Sequence, residues 1–516
     1  MLTRRKLLKN SGLAALAAVS SELWIPIALA QSTFDYFIAP NGDDNNNGLT
    51  PATAWSITAL NTKQSTYAGK NIGIIGDVGG VQTAYQYGTV GGVQTTLYSI
   101  ANHINSSASG DQCVIVVNGG NSSANTYLGS CTSSGVYKVA WAIIDLANSG
   151  GTAPVGQFAC AIGQWFYQNP SPVANKGYVT FDGLVVRNAN YSGINMGDTE
   201  QGLTNIIIKN CKVNNCICTT SANNPGGIVV ANHTGTQILN CLILNCTTSG
   251  GTEFPEGMAG VMSYSGLGMI VTNCTISGCG MSIYMKDSHQ YGTFSYNYFD
   301  CGTFGNESNA GIGVFSLMGI VPGTGQTLTV HHNIIIGNGW RGYGMDHLQV
   351  TGAANFYNNT FYANTVGASG GAVVAAWWDP TTGAGPFQWY NNLVYYPGVA
   401  GTNNGSWTGA LSFNPPTGIT ASQVNYNYYG TGMTFGTSSP LTYAAWRGLG
   451  YDVNSVSGGS PFSGTPTSLN INSFQITGPA TTAGRSGAAC GALDGSGSVG
   501  CNFAAVPVAP VLTVVS

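Results

Sequence analysis

Charge is what this chain has least of. Only 7% of its 516 residues are Asp, Glu, Lys or Arg. After Lys212 a single lysine remains, Lys286, with three arginines beyond it, Arg341, Arg447 and Arg485. So few cations exclude an electrostatic nucleic-acid surface, which needs clustered Lys and Arg. Low charge combined with few apolar residues would mean disorder, but a hydrophobic content of 43% supplies a core. Long apolar runs are missing beyond the first thirty residues, so no later segment reads as a membrane span. Long helical segments are missing too. What is abundant is glycine, 74 residues, together with a recurring asparagine pattern.

The first thirty residues differ from the rest. Arg4-Arg5-Lys6-Leu7-Leu8-Lys9 precedes an apolar run, and Ala28-Leu29-Ala30 closes it. A basic start, an apolar middle and a small-x-small end make a secretory signal. The paired arginines resemble a twin-arginine export signal. Residues 1–30 are therefore expected to be removed, placing the protein in the periplasm or outside the cell. The remainder holds 11 basic and 18 acidic residues, a net charge of −7. It is expected to be a monomer.

Thirteen cysteines in an exported chain would ordinarily mean disulfides. Cys211/Cys216, Cys241/Cys246 and Cys274/Cys279 instead repeat one interval, which implies a repeating structural position filled by small apolar side chains. Cys490 with Cys501, and Cys113 with Cys131, are the expected bridges.

The repeat itself is an Asn followed by alternating apolar residues. It reads Lys209-Asn210-Cys211-Lys212-Val213, Leu239-Asn240-Cys241-Leu242-Ile243, Thr272-Asn273-Cys274-Thr275-Ile276 and His332-Asn333-Ile334-Ile335, with later copies at Asn359, Asn392 and Asn427. Steps of 24 to 36 residues exclude helical solenoids of fixed period but fit a β-solenoid with variable loops. One coil cannot bury its own apolar face, so coils must stack. Asn210, Asn240, Asn273 and Asn333 are expected to form an amide ladder along that stack.

Two stretches carry a family resemblance. Tyr36-Phe37-Ile38-Ala39-Pro40-Asn41-Gly42, followed by Asp43-Asp44-Asn45-Asn46-Asn47-Gly48-Leu49-Thr50-Pro51, resembles the opening of bacterial right-handed parallel β-helix proteins of the pectate-lyase-like superfamily. Gly177-Tyr178-Val179-Thr180-Phe181-Asp182-Gly183-Leu184-Val185 is similar to a first full coil of that group. The implied fold is all-β: a single-stranded right-handed parallel β-helix with an N-terminal cap over 31–175, regular coils over 176–430 and an irregular C-terminal tail over 431–516 that packs over the end. Asp43, Asn45 and Asn47-Gly48 also match half a calcium loop, but Ala54 stands where its carboxylate belongs, so a polar turn explains them equally.

The family includes lyases, hydrolases, epimerases and adhesins, so fold alone assigns no chemistry. Glu253, Lys286 and Asp346 each lie 13 residues after a marker Asn, which predicts one face of the solenoid. The resemblance implies a polysaccharide lyase, with Lys286 as base. Arg341 would neutralise the substrate carboxylate, His289 would assist as acid or base, and Asp287, Asp300 and Asp346 would hold Ca2+. Glu253, His347, Trp377 and Trp378 are candidate polysaccharide contacts, the tryptophans as stacking platforms. A glycoside hydrolase using paired carboxylates such as Glu253 and Glu256 is a weaker alternative, because the polygalacturonase signatures are absent. The rival from another class is a non-catalytic polysaccharide-binding or cell-surface β-helix.

Overall fold

The computed structural model describes residues 34–86, 88–90, 93–95, 125–133, 141–145, 160–164, 177–189, 192–196, 203–218, 225–248, 258–286, 291–300, 315–317, 325–337, 345–346, 353–363, 374–376, 387–395, 411–413, 423–435, 441–494 and 499–501. These residues build three long sheets of 13, 12 and 11 strands. Each coil contributes one strand to each sheet in turn. Leu203–Lys209 joins the first, Lys212–Asn214 the second and Gly226–Ala231 the third. Each then pairs in parallel with its counterpart about thirty residues on, as in Ile208↔Ile238, Val213↔Ile243 and Ile228↔Val261. Alternation drives this arrangement. Ile206 and Ile208 are buried while Ile207 and Lys209 are partly exposed, as a pleated strand with one face on a core requires. Strands at Tyr36–Ile38, Asn71–Ile75 and Thr126–Cys131 already belong to the first sheet, so stacking starts well before residue 176.

The corner between the first and second sheets takes one residue of positive φ in every coil. Asn210, Asn240 and Asn273 hold it at 51°, 53° and 54°. Asparagine is the side chain that best tolerates this region after glycine. In later coils Tyr296, His332, Asn358, Asn391 and Tyr426 stand there. Asn333 is therefore not in the column of Asn210, Asn240 and Asn273. It lies one residue further on, in register with Asn297 and Cys274.

Two amide ladders result, not one. The outer ladder runs Asn273→Asn240→Asn210→Asp182, each Nδ2 donating to the earlier rung at 3.1, 2.6 and 2.7 Å. The inner ladder is fully buried and runs the other way. Nδ2 of Asn297, Asn333, Asn359, Asn392 and Asn427 donates to the next rung at 2.9, 2.9, 3.0, 3.5 and 2.9 Å, ending on Asp452 Oδ1. An amide both donates and accepts, so a chain of them must end on a group that only accepts. Both ladders end on a carboxylate. Asp452 also accepts from Trp446 Nε1, Tyr429 OH and Ser455 Oγ, at 2.8, 3.1 and 2.5 Å. Its burial pushes the carboxyl above the usual range, against the pull of these hydrogen bonds.

Cysteine replaces asparagine in the earlier part of the inner column. Cys241 Sγ donates to Ile208 O and Leu239 O, and Cys274 Sγ accepts Cys241 N–H at 3.4 Å. Asn333 makes the same three kinds of contact, to Phe294 O, to His331 O and from Asn297 N. The second thiol column, Cys216, Cys246 and Cys279, sits where the third sheet comes closest. A Cβ on Gly227 would lie 2.9 Å from Cys246 Sγ, and one on Gly260 would lie 2.2 Å from Ile276 Cγ2, so only glycine fits there.

Helix Tyr443–Gly448 covers the C-terminal end of the stack and buries Trp446. The tail then departs from expectation. After Val456–Gly458, the last strand of the second sheet, it turns back and runs along that sheet's outer face. Phe462, Phe474, Cys490 and Val499 bury against Tyr298, Ile334, Tyr362, Leu393 and Tyr428 there. Backbone groups fasten this strap: Gly491 N to Asn391 O, Ala492 N to Thr360 Oγ1, Gly500 N to Tyr296 O and Cys501 N to Thr275 Oγ1.

The strap also rules out the expected bridges. Cys490 Sγ donates to Tyr426 O and Cys501 Sγ to Asn240 O. These corners are six rungs apart, roughly 29 Å at about 4.8 Å per rung, whereas a disulfide needs Cα atoms within about 7 Å. Both residues are buried thiols. Cys131 is likewise a buried free thiol, and its expected partner Cys113 lies outside the described residues.

Candidate functional site

Lys286 ends the strand Met281–Lys286 of the third sheet and is partly exposed. It is in register with Tyr264 and Ala231 on the two preceding rungs. The neighbouring outward column reads Asn195, Val229, Met262, Tyr284, Ser316 and Asp346. Val229, Ala231, Ala259, Met262, Tyr264, Met281 and Tyr284 form an apolar cluster separate from the main core, on the opposite pleat from Ile228, Val261 and Ile283. Asn195 is fully buried, and neither its Nδ2 nor its Oδ1 has a hydrogen-bond partner among the described residues.

Several predicted neighbours of Lys286 are placed elsewhere. Tyr264, not Glu253, holds the equivalent position one rung earlier, because the connection before Ala259–Tyr264 is longer than equal offsets assume. Asp346 lies two rungs beyond but in the column of Tyr284, two residues off the position of Lys286. Asp300 is on the second sheet, fully buried beneath the strap, where Ser468 and Tyr298 donate to it. It is no partner for Lys286. Glu253, Glu256, Asp287, His289, Arg341, His347, Trp377 and Trp378 lie outside the described residues. In the N-terminal turn, Asp43 accepts from Asn45 N and Nδ2, Asp44 from Ser56 and Thr58, and Asn47 from Leu49 N and Thr53. That is the polar-turn reading.

A second titratable cluster lies on the corner between the first and second sheets. Asp494 Oδ2 accepts from His332 Nε2 and Asn358 Nδ2, each at 2.9 Å, and His332 Nδ1 meets His331 Nδ1 at 2.8 Å. With the carboxylate fixing His332 as the Nε2–H tautomer, His331 donates to His332. Tyr296 stacks on His332 at 4.8 Å and Tyr357 on His331 at 4.8 Å, which locks both rings. Burial, then the neighbouring His332, pushes His331 down to about 4. Neither histidine points into the core; Asn333 takes that place. The sequence marks this cluster only by the His331-His332 pair, since Asp494 is 162 residues away.

A family model matches the middle of the chain. Residues 173–372 match the family model described as a right handed beta helix region. Among solved structures, the chain is similar to pectate lyase Pel9A, with 14% identity over 72% of this chain and 77% of that one, at a TM-score of 0.38. It is also similar to XylC, solved in complex with xylose, with 11% identity over 78% of this chain and 84% of that one, at a TM-score of 0.34. No curated protein matches. The coil order, the parallel register of three sheets and the family match together identify residues 173–372 as a right-handed parallel β-helix.

Proposed function

We propose that this is an exported carbohydrate-active β-helix that cleaves a uronic-acid polymer by β-elimination on the outer face of the third sheet. The observation that carries the reading is the position of Lys286. It is the only lysine after Lys212, and it ends its strand beside an outward cluster holding Tyr264 and Tyr284. In the reaction, Lys286 Nζ takes the C5 proton of the uronate. The electron pair left behind forms the C4–C5 double bond, and the C4–O bond to the leaving sugar breaks. Arg341 is assigned to the substrate carboxylate, His289 to proton transfer, and Asp287 and Asp346 to a Ca2+ ion that would withdraw charge from that carboxylate. Asp300 drops out of this set. Residues 1–30 serve as the export signal.

The test is absorbance at about 235 nm, where the unsaturated product absorbs, on a uronate panel with and without Ca2+. The chain should give a rising signal, and Lys286→Ala should lower the rate at least about a hundredfold, in keeping with loss of a general base. An unchanged rate in Lys286→Ala would remove Lys286 from the chemistry. No signal on any substrate, together with retention on a polysaccharide gel, would make this a binding protein.

A further inference from the structure

The ten cysteines with described side chains are all buried and none is in a disulfide. That is unexpected in a chain carrying an export signal, and geometry alone does not forbid bridging. Adjacent rungs lie about 4.8 Å apart, within the Cα range of roughly 4.4–6.8 Å that a disulfide spans. Cys216, Cys246 and Cys279 occupy one such column, and Cys211, Cys241 and Cys274 another. In the folded chain these thiols are inert. Burial raises Cys211 and Cys241 well above the usual thiol range; contact with Cys216 and Cys279, and then burial, raises Cys246. A protonated, enclosed thiol neither attacks nor meets an oxidant.

The unfolded chain has no such protection. Its thiols titrate near the ordinary value of about 8.5, and the five-residue spacing of Cys211 and Cys216 closes a short, entropically cheap loop. The disulfide of a small monothiol, such as glutathione disulfide, would take two electrons and two protons from such a pair, release two glutathione thiols and leave an S–S bond. In the fold, Cys211 sits between the first and second sheets and Cys216 beyond the second, with Lys212–Asn214 extended between them. A bridge between them would prevent that strand from forming. Inner-column cysteines would also lose the S–H donors that serve Ile208 O and Ile238 O.

We propose that the chain closes its coils while every interior cysteine is reduced, before it meets an oxidant, and that it crosses the membrane already folded. The second half rests on reading residues 1–30, with Arg4 and Arg5, as a twin-arginine signal; the first half does not.

The two halves are tested separately. Full chain unfolded under reducing conditions is returned to native buffer with either dithiothreitol or a glutathione/glutathione disulfide mixture, and soluble protease-resistant protein is measured. The native yield should fall at least tenfold in the oxidising mixture. Chain folded beforehand should keep its thiols through the same treatment, reacting with a thiol reagent only after denaturant is added. The triple variant Cys211→Ala, Cys241→Ala, Cys274→Ala, which removes the five-residue partner of Cys216, Cys246 and Cys279 alike, should narrow the gap between buffers. Equal yields in both buffers would overturn the first half. For export, residues 1–30 are exchanged for a signal that directs unfolded chains into an oxidising periplasm. Native protein should be lost, and should return in a host lacking periplasmic disulfide-forming enzymes. Undiminished native protein from that exchange would overturn the second half and leave the refolding result standing.

Discussion

At the scale of single residues, the inner ladder concentrates the consequences. Asn359 is fully buried; it accepts from Asn333 N and Asn333 Nδ2 and donates to Val330 O and Asn392 Oδ1. Alanine there removes four buried hydrogen bonds, worth about 1 kcal/mol each net, and takes the acceptor from Asn333 N, while Asn333 Nδ2 keeps Phe294 O and Asn392 Oδ1 keeps Asn359 N. We expect Asn359→Ala to lose about 3–5 kcal/mol in denaturant unfolding. Asn273→Gly, which keeps the positive-φ corner and removes the end of the outer ladder, should lose under about 1 kcal/mol. Similar losses in the two variants would remove the distinction between the ladders. The sequence displays the ladder residues but not their frame. Asparagine betrays the corner at 210, 240 and 273 because it tolerates positive φ, whereas Tyr296, His332 and Tyr426 occupy the same corner with no local mark. Asn333 consequently reads as a corner residue, though it belongs to the core column one place later. Asp346 misses the column of Lys286 for another reason: it lies 14 residues after its corner His332, whereas its register partner Tyr284 lies 11 after Asn273, so the connection between is three residues longer.

At the scale of elements, the strap changes how the stack holds together. A solenoid couples only neighbouring rungs, yet the segment from Cys490 to Cys501 touches corners from Tyr426 back to Asn240. It also covers an apolar stripe on the second sheet that would otherwise face water. Phe474 is the plug of that contact: fully buried, with ring centroids 5.5 Å from Tyr362, 5.8 Å from Phe462 and 6.4 Å from Tyr298. Phe474→Ala should cost about 3–5 kcal/mol, as buried Phe truncations do. It should also raise hydrogen exchange along Tyr298–Asp300 and Thr360–Tyr362 more than along Lys212–Asn214, which the described residues of the strap do not touch. Uniform exchange across those strands would mean the strap does not tie the rungs. Composition could not announce this element. Ser, Thr, Gly and Pro dominate it, and its contacts span up to 261 residues of sequence, so expectation stopped at a cap over the end. Lys286, by contrast, stands out in the sequence because charge is so scarce, while what surrounds it depends on loop lengths that the Asn spacing does not reveal.

At the scale of the whole molecule, the scarcity of charge leaves acid stability to a few buried groups. His233 is fully buried, with Nε2 3.0 Å from Ser263 Oγ, and burial pushes it down to about 3. Together with His331, pushed to about 4, it stays neutral in the fold while the unfolded chain takes up protons from about 6.5 downward. A depressed folded value means stability is complete above the unfolded value and drains away as pH falls toward the folded one. Asp452 works in the opposite sense, because its raised value penalises the charged form at higher pH. Its window runs upward from the unfolded carboxylate value of about 3.9 to its raised folded value, and within that range it partly offsets the histidine loss as pH falls. His331 is partly exposed and contributes less than its shift implies. For His233, two pH units below the unfolded value correspond to a loss on the order of 2–3 kcal/mol. The melting temperature should therefore fall between about pH 6.5 and 4.5. His233→Gln, which cannot take up a proton, should flatten that slope even if its melting temperature at neutral pH is lower. An unchanged slope in His233→Gln would assign the acid sensitivity to the Asp494–His332–His331 cluster, and Asp494→Asn would then be the variant that moves it.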